Sequence, residues 1–191
     1  MTTRKLAMAG ALGLASLGLI GAGAGATFTD AVASTQQITA GRINVQASTN
    51  AAGATTSSDG KAITFGAFGP TNSTFSNGAP KVSVTNTGTV QADAIWLRAS
   101  DTRGADPASD ALAGQMCVAI MSPDGGVNKD VYRGTLANFE AHPVQVAGPL
   151  PVGGHDEWTT EFYAGSNGCD SLTNAAEGGT VTPTITVSYQ G

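Results

Sequence analysis

The sequence predicts an all-β protein: an antiparallel two-sheet sandwich with short helical inserts, preceded by a helical signal peptide. Seven to nine short segments alternate apolar and polar residues, as strands with one buried face do. Turn-forming residues separate these segments at short intervals. The chain is rich in Gly, Thr, Ser and Asn, and only 6% of its residues are aromatic, a composition that disfavours a helical bundle.

The first 26 residues have the organisation of a secretion signal. Residues 4–5 are basic, and residues 6–20 form an uncharged apolar run. Ala24 and Ala26 form a small-x-small cleavage site, which makes Thr27 the expected new N-terminus. The alternative is an uncleaved anchor, since the run approaches the ~20 residues of a spanning helix. Its Ala/Gly-rich composition and the lack of a following basic cluster favour cleavage.

Cleavage would leave 165 of the 191 residues, enough for one domain with a core of its own. The net charge of −5 would become −7, because Arg4 and Lys5 are lost with the signal. An acidic chain without a basic cluster binds nucleic acid and anionic membranes poorly. We therefore expect no nucleic-acid partner, and membrane contact only through the signal peptide before cleavage.

The two cysteines, Cys117 and Cys169, both lie in the exported part of the chain. An even pair in an exported protein predicts one disulfide. The alternative is two free, buried thiols. Cys117 is expected on the non-core face of its strand, where it can meet a covering loop.

The first exported residues alternate only weakly, and their large apolar residues are Phe28, Val32 and Ile38. We predict an N-terminal strand over residues 27–45 that is too polar to form a buried strand alone. Alternation is clearer over residues 42–47.

The middle of the chain contains clear turn and cap signals. Residues 81–85 and 90–100 are predicted to pair as a hairpin, through a turn in which Gly88 is free to take a positive φ. Asp106 is predicted to cap a short helix that ends at Gly114. The remaining predicted elements are strands at 62–65, 115–121, 131–134, 144–146, 157–164 and 181–189, and helical turns at 135–139 and 171–177.

Several short motifs resemble those of the TasA/camelysin family of secreted biofilm-matrix and surface proteins. Residues 26–30 (ATFTD), followed by residues 40–43 (AGRI), resemble the junction cut by the SipW type of signal peptidase in that family. Residues 79–88 (APKVSVTNTG) and 131–137 (VYRGTLA) are similar to other pieces of it. The resemblance implies a jelly-roll type of sandwich, processing by a SipW-type peptidase, and an extracellular or cell-surface location.

Catalytic chemistry has little support in the sequence. Some camelysin relatives are labelled metallopeptidases, but a zinc peptidase needs two histidines one helical turn apart. His142 and His155 lie thirteen residues apart, and no HExxH motif exists. A site built from His155, Asp156 and Glu157 is disfavoured because neighbours on a strand point to opposite faces. No Gly-x-Ser-x-Gly elbow supports a serine triad. We expect no enzyme activity and no cofactor.

Calcium and glycan sites are the other candidates. Asp101, Asp106 and Asp110 lie close in sequence and Asp124 lies in a predicted turn, but none follows EF-hand spacing. Asn72 begins an Asn-Ser-Thr sequon, which matters only if the exporting cell glycosylates.

The sequence and the resemblance together predict a secreted structural protein. It would be a subunit of an extracellular fibre or surface matrix, and its binding partner would be another copy of the same chain. Residues 27–40 would complete the sheet of the next subunit, head to tail, with Phe28, Val32 and Ile38 as anchors. Alternatively, this segment pairs within its own sandwich. The rival functions are a monomeric surface adhesin that binds through its loops and, less favoured, a camelysin-like metallopeptidase.

Overall fold

Two antiparallel sheets pack face to face, with the apolar core between them. The structure is a computed structural model that describes residues 41–123 and 129–191. The strands are β1 (Val45–Thr49), β2 (Thr55–Thr56), β3 (Ala62–Thr64), β4 (Phe75–Ser76), β5 (Lys81–Asn86), β6 (Ala94–Arg103), β7 (Cys117–Ser122), β8 (Lys129–Thr135), β9 (Val144–Ala147), β10 (His155–Ala164) and β11 (Val181–Gln190). The helices are α1 (Pro107–Gln115) and α2 (Leu136–Ala141), with a 3-10 turn at Asn174–Ala176.

The predicted two-sheet sandwich with short helical inserts is confirmed, while the predicted signal peptide lies outside the described residues. The first sheet has the order β1-β5-β10-β7-β8, with β4 paired to the end of β10. The second sheet has the order β2-β3-β11-β6-β9. Its central pair, β6 and β11, is in register over ten residue pairs.

Aromatic side chains from both sheets fill one end of the core. The Phe162 ring of the first sheet lies 4.9 Å from the Phe65 ring and 5.5 Å from the Phe68 ring, centroid to centroid, on the side of the second sheet. Trp158 is fully buried, and its indole N–H donates to the Val146 carbonyl at 3.2 Å. The indole nitrogen of the largest core side chain therefore has a hydrogen-bond partner.

The predicted hairpin over residues 81–100 is wrong, because β5 and β6 belong to different sheets. The connection is an arch that crosses from one sheet to the other. Gly88 does not use its freedom to take a positive φ. A Cβ at Gly88 would lie 2.6 Å from the Asn44 nitrogen and 3.0 Å from Asn86 Oδ1, so close backbone approach is what requires glycine there.

The predicted N-cap of the first helix is confirmed, although α1 continues through Gly114 to Gln115. Asp106 Oδ1 accepts from the Ser109 backbone N–H at 2.8 Å, and Oδ2 accepts from the Ser109 hydroxyl at 2.8 Å. Both bonds lower the pKa of Asp106, and the bond from the Ser109 backbone N–H has the larger effect. Because the pKa of Asp106 is lower in the folded state, the charged cap stabilises the fold at pH values above the ordinary aspartate pKa.

We expect this stabilisation to be lost as the pH falls through the lowered pKa of Asp106. Asn caps helices about as well as Asp but does not titrate in this range. Thermal unfolding of the wild type and Asp106→Asn, measured from neutral pH to below the aspartate range, should therefore show a shallower acid-side decline in the variant. Parallel declines in the two proteins would show that the cap does not contribute to acid sensitivity.

Candidate assembly site

The predicted disulfide is confirmed: Cys117 and Cys169 are bonded, with their Cα atoms 6.2 Å apart. The bond ties the start of β7 to the loop that follows β10, across a sequence separation of 52. Both cysteines are largely buried. Such a bond fits an oxidising compartment. Within residues 41–123 and 129–191, no helix is long and apolar enough to cross a membrane.

Residues 41–44 lead the chain into β1 and run beside the arch between β5 and β6. The Arg42 carbonyl accepts from the Thr89 N–H, and the Asn44 carbonyl accepts from the Thr87 N–H, each at 2.7 Å. The strand itself begins only at Val45, at the end of the range predicted for the N-terminal strand. The other residues of that prediction, and those of the cleavage site, lie outside the described residues: Ala24, Ala26, Thr27, Phe28, Val32 and Ile38.

Asn86 is fully buried and organises the end of the sandwich at which the chain enters. Its side-chain amide donates to the Val90 carbonyl at 2.9 Å and to the Leu150 carbonyl at 3.0 Å. Its side-chain oxygen accepts from the Gly88 N–H at 2.9 Å. Its backbone groups bond to residues 153–154 at 2.9 and 3.0 Å. This one residue therefore joins the arch to the loop that precedes β10.

The outer edge of β1 is closed by groups from the second sheet. The Ile43 carbonyl accepts from the Tyr189 hydroxyl at 3.3 Å, and the Val45 carbonyl accepts from the Lys61 ammonium. The Ala47 N–H donates to the Gly60 carbonyl at 2.7 Å. Because residues 43, 45 and 47 direct their backbone groups to the same side, these bonds occupy the edge that an incoming strand would use.

Lys61 reinforces this closure. Its ammonium also donates to Asn44 Oδ1 at 3.0 Å and lies 4.6 Å from the centre of the Tyr189 ring. A cation over an aromatic face is a favourable contact, so Lys61 links β1 to the last strand of the opposite sheet. The first sheet therefore does not present a free edge at β1.

The opposite edge of the first sheet, β8, is protected in a different way. The register between β7 and β8 shifts near Ile120, and Arg133 Nε bonds to Asp130 Oδ2 at 2.8 Å. The bond from Arg133 lowers the pKa of Asp130, so this pair stays charged at neutral pH. A bulge combined with charged side chains discourages pairing with another chain.

An open groove of about 530 Å³ lies between the sheets at the far end of β1. Phe65 is buried beside it, and Phe68 is half-buried, with its ring 5.7 Å from the Phe75 ring. The lining residues come from the loops after β1, β3 and β4, from the start of β5 and from β10: Asn50, Ala51, Ala52, Phe65, Gly66, Ala67, Phe68, Asn77, Gly78, Ala79, Pro80, Lys81 and Thr159. The groove therefore offers an aromatic wall with a rim of mostly small residues.

The chain entry and the groove lie at opposite ends of β1. Asn50 is nine residues after Gly41, which is a distance of roughly 30 Å in extended chain. The loop over residues 77–80 shapes the groove, because the Asn77 side-chain oxygen accepts from the Phe162 N–H at 3.1 Å. Gly78 and Ala79 both have positive φ, of 76° and 50°. The loop stays bonded to β10 at its other end, where the Thr160 N–H donates to the Pro80 carbonyl at 2.8 Å.

The structure does not bring the candidate metal ligands together. His142 and His155 are exposed loop and strand-end residues, and no group of three His, Cys, Asp or Glu residues that could hold a metal occurs among the described residues. Glu157 instead pairs with Lys81 at 2.7 Å, which lowers the pKa of Glu157. Asp156 likewise belongs to no such group among the described residues, and Asp124 lies outside them.

The remaining candidates have structural roles or are exposed. Asp101 and Asp110 both contact Arg103, at 2.8 and 3.5 Å. Asp106 is the helix cap. Asn72, in the sequon, is exposed in the loop after β3.

No family model matches the chain, and no curated protein matches it. The similarity to the TasA/camelysin family therefore rests on the short motifs of the sequence. Sequence reasoning did not identify Lys61 and Tyr189 as the closure of β1, nor Phe65 and Phe68 as the groove wall. No local pattern marks these residues, because their roles come from contacts between distant segments. Asn86 carries a signal, the Asn-x-Gly step, which by itself indicates only a turn.

Proposed function

We propose that this protein is a secreted structural subunit of an extracellular fibre or surface matrix. Its subunits join head to tail when residues 27–40 of one copy enter the groove of the next. The observation that carries this proposal is the placement of the chain entry and of the aromatic-walled groove at opposite ends of β1. When each subunit binds a different surface of the next copy, the row of subunits need not close into a ring. It can therefore grow into a filament.

The groove is favoured over the edges of the first sheet as the acceptor. The β1 edge is occupied by Tyr189, Lys61 and Gly60, and β8 carries a bulge and an ion pair. The groove instead leaves part of its aromatic wall accessible, since Phe68 is only half-buried. The donor segment supplies matching groups, since its large apolar residues are Phe28, Val32 and Ile38.

The length of the segment suits this exchange. Fourteen extended residues span roughly 47 Å, which exceeds the roughly 30 Å between the chain entry and the groove. The same length permits the segment to reach the groove of its own subunit, which would give a monomer. Cleavage before Thr27 by a SipW-type signal peptidase would free the segment only after export, which agrees with the extracellular location that the resemblance implies.

Deletion of residues 27–40 behind an intact cleavage site tests the proposal. We expect the full mature protein to sediment as a polymer and to form filaments in electron micrographs. The truncated protein should stay monomeric with an unchanged melting temperature, because the described sandwich begins after the deleted residues. Filaments of the truncated protein would refute donation by this segment, and a monomeric full-length protein would favour docking into its own groove.

Blocking the groove provides the matched experiment. Ala67 is exposed on the groove rim, and Ala105 is exposed in a loop that does not line the groove. Ala67→Trp should abolish filaments, while Ala105→Trp should not. A mixture of the truncated protein and Ala67→Trp should give heterodimers but no filaments, since one protein has only a free groove and the other has only a free segment.

A further inference from the structure

The outer face of the second sheet carries a regular array of polar side chains beside one tryptophan. The outward residues of β6 and β11 lie opposite each other in four rows: Trp96 with Ser188, Arg98 with Thr186, Ser100 with Thr184, and Thr102 with Thr182. The third row continues onto β3, where the Thr64 and Thr184 hydroxyls are 3.0 Å apart. Trp96 is only half-buried, in contrast to the fully buried Trp158.

A cleft of about 450 Å³ lies on this face, next to the row that contains Trp96. Its lining residues are Arg98, Ala99, Ser100, Asp101, Glu140 and Thr186. Helix α2 supplies one wall, held by a hydrogen bond of 3.0 Å from Arg98 Nε to the Glu140 carbonyl. The cleft is therefore a concave extension of the flat polar face, and Trp96 is two residues from Arg98 on the same strand face.

The charges in and around the cleft are largely matched. Arg103 Nε bonds to both Asp101 oxygens at 2.8 Å, and its terminal nitrogens lie 3.5 Å from Asp110 and from Glu140. The Asp101 side chain is only 7% exposed, so this pairing is fixed in place. Among the described residues, the Arg98 side chain makes no hydrogen bond besides that of its Nε. The cleft thus combines donors and acceptors without a strong field of either sign.

We propose that this cleft binds a neutral polysaccharide. Each sugar hydroxyl both donates and accepts, which suits a set that contains a guanidinium, carboxylates and hydroxyls. The apolar C–H face of a sugar ring fits against a half-buried indole such as that of Trp96. Chains of neutral sugars also match the flat sheet face, along which Ser188 and Thr184 continue the hydroxyl array.

Other ligand classes fit this face less well. An anionic polysaccharide would meet Asp101, Glu140 and Asp110 on a protein of net charge −5. A protein partner would bury a mostly apolar patch in the centre of its interface, and this face has one aromatic residue among hydroxyls and charges. The inference goes beyond the proposed assembly function and does not depend on it, since residues 27–40 take no part.

Tryptophan fluorescence of the mature protein tests the inference, with dextran, galactomannan, laminarin and the acidic polygalacturonate as probes. We expect a saturable blue shift with at least one of the three neutral polysaccharides, because Trp96 becomes less exposed to water. Arg98→Met should weaken binding roughly tenfold, as loss of a hydrogen bond to a charged group does. Thr186→Val, which keeps the β-branched shape, should weaken it about threefold or more.

Thr85→Val, the same substitution on the outer face of the first sheet, is the matched control and should bind like the wild type. Thermal unfolding establishes that each variant is folded. The inference is overturned if no neutral polysaccharide shifts the spectrum, if polygalacturonate alone does so, or if the cleft variants bind as tightly as Thr85→Val.

Discussion

Replacing Cys117 and Cys169 together by alanine is expected to lower the free energy of unfolding by about 4 kcal/mol. The bond closes a segment across a sequence separation of 52, and this constraint restricts the unfolded chain far more than the folded one. Alanine is preferable to serine here, because both positions are largely buried and a hydroxyl would need a partner. Urea unfolding at equilibrium provides the measurement.

Reduction of the wild-type protein supplies the control for this prediction. The reduced wild type and the double alanine variant should unfold at similar urea concentrations, both well below that of the oxidised protein. The double variant should also resist any further shift on addition of reductant. A change below 1 kcal/mol, or a reductant-sensitive double variant, would contradict the role assigned to the bond.

Replacing Asn86 by alanine is expected to cost about 3–5 kcal/mol. The Asn86 side chain satisfies the Val90 and Leu150 carbonyls and the Gly88 N–H. Its removal leaves the Leu150 carbonyl and the Gly88 N–H without their partner at buried positions, and each such group costs about 1–3 kcal/mol. Urea unfolding gives the total cost, and hydrogen exchange of the Gly88 amide should show local loss of protection.

Asn138→Ala is the matched control for Asn86. Asn138 is exposed on α2, and its amide makes a bond of 3.1 Å to the Tyr132 hydroxyl. We expect this change to cost less than about 1 kcal/mol, since water replaces an exposed hydrogen bond and alanine favours a helix. Equal losses in the two variants would show that Asn86 is an ordinary turn residue.

The turn at residues 86–88 shows why sequence reasoning reached only part of the site. The Asn-x-Gly step identified the end of β5, because a local backbone preference determines where a strand turns. The Leu150 carbonyl that Asn86 binds lies 64 residues further along the chain. No pattern around Asn86 indicates that partner, so its burial and its role in joining two loops could not be predicted.

The same distinction separates the strands from their arrangement. Alternating residues predicted most strands to within a few residues, and Asp106 predicted the start of α1. Alternation determines which face of a strand is buried, but it leaves open which strand lies beside it. The hairpin between β5 and β6 was wrong for this reason, since both strands bury one face on the same core from opposite sheets.

The sequence by itself determined the all-β class, most strand positions, the cap at Asp106 and the pairing of the two cysteines. These depend on residue periodicity, on hydrogen bonds within one turn, or on there being two cysteines to pair. Only the tertiary structure decided that Lys61 and Tyr189 close the edge of β1, and that Phe65 and Phe68 form the wall of a groove at its far end. Each of these features is a contact between segments far apart in the chain, and its free energy depends on the packing of both sheets.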